Sequence, residues 1–131
     1  MQAQDRSRGD QLDGRWGEEA AAWHARRAGA EVLASRVLAR GGELDLVLCH
    51  RGALVFAEVK TRRRSEWALG AITRRKRARI FRAARAFLFE HGMELDDVPI
   101  RFDAFAVVPG PDGAPQVTWV EGAFAPEEGW T

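Results

Sequence analysis

Two kinds of hydrophobic periodicity run through the 131 residues. From Asp13 to about Ala28 (DGRWGEEAAAWHARRA), Trp16, Ala20 and Trp23 recur at helical spacing in an Ala-rich segment. A helix is expected there, with Trp16 and Trp23 turned to the core and Gly29 ending it. A first strand follows near Glu31–Leu38, and residues 42–62, GELDLVLCHRGALVFAEVKTR, alternate with the period of a β-hairpin. TRRRSEWALGAI reads as a loop. Thr73 is a candidate N-cap for a long helix reaching about Glu90. Ile80, Phe81, Ala84, Phe87 and Leu88 form its apolar stripe, with Arg75, Arg79 and Arg82 opposite and His91-Gly92 as the stop. Strands near Ile100–Val108 and Gln116–Val120 flank a PGPDGAP turn. The order α-β-β-β-α-β-β predicts a single α/β domain over 13–131, a mixed sheet flanked by helices. Residues 1–12 are expected to be a flexible polar lead.

The hairpin carries charges that a core strand should not. Side chains alternate faces, so Glu43, Asp45, Val47 and Cys49 share one face of its first strand, and Leu54, Phe56, Glu58 and Lys60 share one of its second. A two-residue (Arg51-Gly52) or four-residue connection sets Asp45 opposite Glu58 and Glu43 opposite Lys60. A three-residue loop would break that register. Like charges across an antiparallel pair are destabilising, so the two carboxylates need a shared proton, a cation or solvent. A divalent metal is the compensation that also accounts for Lys60, two residues beyond Glu58, within reach of a bound water. The competing reading is a solvated sheet edge on which Glu43 simply pairs with Lys60.

Composition adds an asymmetry. Lys60 to Arg85 holds eleven basic residues and one acid, Glu66, whereas the rest of the chain has nine basic and eighteen acidic residues. Such a block suits a polyanion partner, although solvated basic helix faces are common. Of the twenty basic residues only Lys60 and Lys76 are lysine. An ammonium is a compact point charge, not interchangeable with a guanidinium beside a water or phosphate oxygen. A single cysteine, Cys49, leaves neither a disulfide nor a Cys-rich zinc site to expect. No apolar run approaches a membrane span and the N-terminus has no secretory h-region, so a cytoplasmic setting is expected.

Asp45 and Glu58-Val59-Lys60, joined by a hairpin, resemble the PD-(D/E)xK signature of restriction-endonuclease-like nucleases, with Leu44 where the nominal proline stands. More closely, the chain resembles the YraN-type family of small bacterial proteins, similar to Holliday-junction resolvases. The landmarks run from residue 17 to 124: Gly17-Glu18 with Ala21, Gly29, GELDLV, VFAEVKTR, the helix bearing Lys76, Arg101-Phe102-Asp103, and Ala123-Phe124. The resemblance implies a restriction-endonuclease-like fold and a Mg²⁺- or Mn²⁺-dependent endonuclease acting on DNA, on branched or structured duplex. Asp45, Glu58 and the Val59 carbonyl would be the metal ligands. Lys60 would position the attacking water or stabilise charge on the phosphate, and Glu18 would be an additional catalytic carboxylate. Glu18 otherwise reads as a surface acid favoured by the helix dipole. Glu43 would be an outer-shell partner of Lys60 or a ligand. Arg62, Arg63, Arg64, Arg74, Arg75, Lys76 and Arg79 would contact the nucleic-acid backbone, and cutting two strands would suggest a homodimer.

The remaining features read as structural. Arg101 and Asp103, two apart on one strand, suggest a pair, with a phosphate role for Arg101 open. His24 has no sequence partner that makes it a ligand or base, His50 is expected in the hairpin turn and His91 at a helix C-terminus where positive charge is welcome, and Trp67 is the best candidate for base stacking. A non-catalytic nucleic-acid-binding module and a self-associating interaction protein are the competing functional classes.

Overall fold

The computed structural model describes residues 13–63 and 72–126. Helix α1 (Gly14–Arg27) begins where the Asp13 carboxylate accepts the Arg15 N–H at 2.9 Å, and it ends ahead of Gly29, whose φ of +96° turns the chain. Strands β1 (Glu31–Ala39), β2 (Gly42–His50) and β3 (Ala53–Thr61) follow as an antiparallel meander. Helix α2 (Arg74–Glu90), capped by Thr73 Oγ1 accepting the Lys76 N–H at 3.1 Å, crosses over to β4 (Ile100–Pro109). β4 lies parallel to β3, and β5 (Pro115–Phe124) returns antiparallel to β4. The five-stranded sheet has spatial order β1-β2-β3-β4-β5. The α/β class and the order α-β-β-β-α-β-β match the sequence expectation.

Alternation along β3 divides the core into two layers. Leu54 and Phe56 pack with Ile80, Phe81, Ala84, Phe87 and Leu88 of α2, whereas Val55 and Ala57 pack with Ala21, Ala22 and Ala25 of α1. The helices therefore cover opposite faces of the sheet. Gly17 permits the closest approach of α1: a Cβ there would lie 1.8 Å from Thr61 Oγ1 on β3.

Two expectations are corrected. Trp23 is 61% exposed, and it lies 4.8 Å from the Arg27 guanidinium instead of in the core. The buried stripe of α1 is Gly17, Glu18, Ala21, Ala22 and Ala25, because small residues let the helix lie flat where a Trp would hold it off; Trp16 is only partly buried against that layer. β5 also extends to Phe124, beyond Val120. A bulge in β5, where residues 121–123 oppose Asp103 alone, and a φ of +60° at Gly122 re-aim the strand so that Phe124 pairs with Phe102 in the α2 layer. The segment containing Arg64 and Trp67, and residues 1–12, lie outside the described residues. No helix among the described residues is long and apolar enough to cross a membrane.

Candidate active site

The hairpin turn is the two-residue Arg51-Gly52, with φ of +52° and +79°, the combination that matches strand twist. It gives the expected register, Cys49 opposite Leu54, Val47 opposite Phe56 and Leu46 opposite Ala57. There the ladder ends. β2 continues beside β1, with Leu44 opposite Val37 and Glu43 opposite Leu38, while β3 continues beside β4, with Glu58 opposite Ala104 and Lys60 opposite Ala106. The expected cross-strand pair of Glu43 with Lys60 is therefore absent from the ladder. The strands part at the position where two carboxylates would face each other, which is where pairing costs most.

The gap exposes backbone. Leu54 and Arg62 direct their N–H groups to Pro99 and Val107 on the β4 side, so even-numbered residues of β3 bond toward β4. Val59, out of phase with them, turns its N–H and C=O toward the gap left by β2. Its N–H donates to Asp45 Oδ2 at 2.8 Å, replacing a ladder bond by a bond to a side chain.

Asp45 and Glu58 interact directly. Burial first, and then the neighbouring Glu58 charge, push the Asp45 carboxyl up to about 8; the Val59 N–H opposes this, while a hydrogen bond with Glu58 and the charge of Glu18 add to it. At neutral pH the Asp45 carboxyl therefore keeps its proton. Glu58 is 4% exposed, and Lys76 Nζ from α2 stands 2.5 Å from its Oε1. Lys60 is also buried. Its pKa is held below the usual lysine range by burial first and then by Lys76 and Arg62, with Glu58 pulling the other way. The only two lysines of the chain thus both act on one carboxylate, Lys76 by direct contact and Lys60 through its charge.

Glu18 reaches the same place from α1. It is 8% exposed, and Arg36 Nε lies 2.9 Å from its Oε1 in an orientation that makes no hydrogen bond, leaving that buried oxygen without a hydrogen-bond partner. Burial raises its pKa, Arg36 opposes the rise, and Glu43 and Glu58 reinforce it. Glu18, Glu43, Asp45, Glu58 and Val59 line a cleft of about 380 Å³ together with Arg36, Lys76 and Arg79. All four carboxylates singled out in the sequence converge here. Lys60 is not part of the lining.

The sequence model of the uncharacterised protein family UPF0102 matches residues 17–107, a span that opens on Gly17-Glu18 and contains Asp45, Glu58, Lys60, Lys76 and Asp103. Similar proteins include UPF0102 proteins of Parafrankia sp. (42% identity over 85% of this chain and 94% of the relative) and of Symbiobacterium thermophilum (40%, over 85% and 94%). A UPF0102 protein of Pectobacterium carotovorum is 36% identical over 82% of this chain and 89% of its own length. The chain belongs to the UPF0102 family. This is the YraN-type family that the motifs resemble.

The donor set of this UPF0102 member suits a hard cation. Among the described residues no three His, Cys, Asp or Glu side chains close into a cage. A Mg²⁺-type site does not need one, since it takes one or two carboxylates, waters and substrate phosphate. Asp45, Glu58 and the Val59 carbonyl face one gap, and Glu18, whose Oε1 is ion-paired with Arg36 but makes no hydrogen bond, lines the same cleft.

The proposed backbone contacts divide. Arg63, Arg74, Arg75 and Arg79 are exposed, and Arg62 donates through Nη1 to the Thr61 carbonyl at 2.9 Å. Lys76 instead turns into the cleft. Sequence reasoning missed Arg36, a non-glycine residue at φ +52°. Its one signal is the consecutive polar pair Ser35-Arg36, which interrupts the alternation of β1 just after a register shift between Val32 and Ala34.

Arg101 and Asp103 form the expected pair, at the end of the sheet near the hairpin turn. Arg101 Nε and Nη2 each donate to the fully buried Asp103 carboxylate at 2.8 Å, Trp119 Nε1 and the Gly122 N–H donate at 2.8 and 2.9 Å, and Arg101 Nη2 also donates to His50 Nδ1. These bonds tie β2, β4 and β5 together.

Proposed function

We propose that this UPF0102 protein is a metal-dependent endonuclease that hydrolyses DNA phosphodiester bonds, acting in the cytoplasm on branched or structured duplex. The observation that carries the reading is the gap between β2 and β3, where Asp45 accepts the Val59 N–H, the Val59 carbonyl faces the same opening, and buried Glu58 holds Lys76. Asp45, Glu58 and the Val59 carbonyl would hold Mg²⁺ or Mn²⁺. When bound, such a cation supplies Lewis acidity at the phosphate and lowers the pKa of water.

The chain's own residues supply the rest. Lys60, buried behind the cleft lining two residues from Glu58 on the same strand, would orient the attacking water and offset charge developing on the phosphate oxygens, its burial strengthening that interaction. Water oxygen bonds to phosphorus as the in-line P–O3′ bond breaks, one water proton passing to solvent and the departing 3′-oxygen taking one up, leaving a 5′-phosphate and a 3′-hydroxyl. Arg36, Arg79 and the exposed arginines of α2 receive flanking phosphates, contacts that position DNA without reading its sequence. Glu18 keeps Arg36 at the cleft. Cutting both strands of a junction would require two copies.

A labelled four-way junction and a linear duplex, incubated with Mg²⁺ or Mn²⁺, provide the test. The wild type is expected to cut the junction, and Asp45→Ala to slow cutting by about a hundredfold or more while retaining binding. Binding without cutting across metals and substrates favours the non-catalytic module. Absence of salt-sensitive binding refutes both readings.

A further inference from the structure

Lys76 sits where its helix least favours a cation. It is the third residue after the Thr73 cap, so with Arg74 and Arg75 it places three positive charges in the first turn of α2, which contains no acid. The helix dipole opposes positive charge there, so the arrangement calls for an anion. Glu58 is that anion, 2.5 Å from Lys76 Nζ. The two partners differ in environment: the Glu58 side chain is 4% exposed, whereas that of Lys76 is 47% exposed and reaches in from the cleft rim.

We propose that Lys76 is a built-in counter-ion for Glu58 that a divalent cation must displace, and that the released ammonium then receives a phosphate of the incoming nucleic acid. The inference rests on the metal-dependent reading above and adds how cation and polyanion binding are coupled. Glu58 cannot give its Oε1 fully to a cation while that oxygen holds Lys76. Two positive charges on one buried carboxylate repel, so cation entry drives Nζ outward. It moves into a cleft whose other lining cations, Arg36 and Arg79, draw in a backbone phosphate that Nζ can then hold in place of Glu58. Conversely, a phosphate that captures Lys76 frees Glu58 for the cation. Each ligand thereby favours the other by the same factor.

The residue type supports this exchange. Eighteen of twenty basic residues are arginine, whose rigid fork would lock onto a carboxylate through two bonds. A lysine makes single, rotatable contacts on a flexible stem and can change partner with little rearrangement. The lysine backbone meanwhile stays fixed by its N–H bond to Thr73 Oγ1, so only the side chain needs to move.

The test is Mn²⁺ affinity, read from the free-ion electron paramagnetic resonance signal without DNA, for wild type, Lys76→Met, Lys76→Gln and Arg79→Met. Both Lys76 variants are expected to bind Mn²⁺ roughly fivefold or more tightly than wild type, and Arg79→Met, which removes an equal charge from the same cleft, by clearly less. In a second arm at constant ionic strength, Mn²⁺ is expected to tighten wild-type binding of a labelled four-way junction by roughly the same factor, and binding by the Lys76 variants far less. Unchanged or weaker Mn²⁺ affinity in the Lys76 variants overturns the counter-ion role while leaving the metal site in place. An equal gain in Arg79→Met reduces the effect to general charge and overturns it as well. No Mn²⁺ binding by any of the proteins overturns the metal-dependent reading itself.

Discussion

Asp45 connects metal binding to protein stability. Its carboxyl titrates near 8 in the folded protein and near 4 in an unfolded chain. A group raised on folding contributes stability that is full below its unfolded pKa and is lost as pH rises through its folded one. The cation-free protein is therefore expected to lose about 1–2 kcal/mol between pH 5 and pH 8, discounted from the ideal slope because the cleft admits solvent. Asp45→Asn, which mimics the protonated acid, should flatten that slope in urea melts recorded at each pH. Mn²⁺ competes with the same proton, so its stabilisation of wild type should be larger at pH 8 than at pH 6. The sequence displayed this residue clearly, because an acid at a core-facing position of β2 contradicts its neighbours. Arg36 was not legible, since its importance comes from a backbone turn to φ +52° and a partner on α1, neither encoded locally. Lys76 was visible as a cation, but its direction depends on how α2 docks on the sheet.

At the scale of elements, the site depends on how closely α1 lies against β3. Gly17→Ala would bring a Cβ to 1.8 Å from Thr61 Oγ1, so the helix must shift and carry Glu18 with it. Thermal or urea unfolding is expected to show a loss of about 2–3 kcal/mol, partly restored by Thr61→Ala in the double variant. The far end of the sheet is held by a different device. Asp103→Ala would leave the Trp119 and Gly122 N–H groups without their acceptor and reduce the Arg101 guanidinium to its contacts with His50 and Glu121, at an expected cost of about 3–5 kcal/mol in equilibrium unfolding. The elements themselves were readable from periodicity, and the hairpin register followed from the two-residue Arg51-Gly52 turn. The end of the ladder at Leu46 and Ala57 was not, because strand separation is a balance between carboxylate repulsion, the Val59-Asp45 bond and the neighbouring strands.

Across the whole molecule, positive charge gathers on α2 and the exit of β3, while the cleft beneath gathers four carboxylates among Arg36, Lys76 and Arg79. That layering suits a ligand that is negative outside and needs cations inside. Exposed Arg75 and Arg79 should each contribute to counterion release. Replacing either by Ala is expected to lower the slope of log affinity against log salt by roughly one, with little change in preference among DNA sequences. Fluorescence anisotropy at several salt concentrations checks this, and an unchanged slope would remove that face from the interface.

A crystal of the protein grown or soaked with Mn²⁺ offers the most direct test of the account. It predicts an anomalous-scattering peak bound by Asp45, Glu58 and the Val59 carbonyl, with Lys76 Nζ withdrawn from Glu58. A fully soaked crystal with no peak in that gap, and with Lys76 still paired to Glu58, would contradict it.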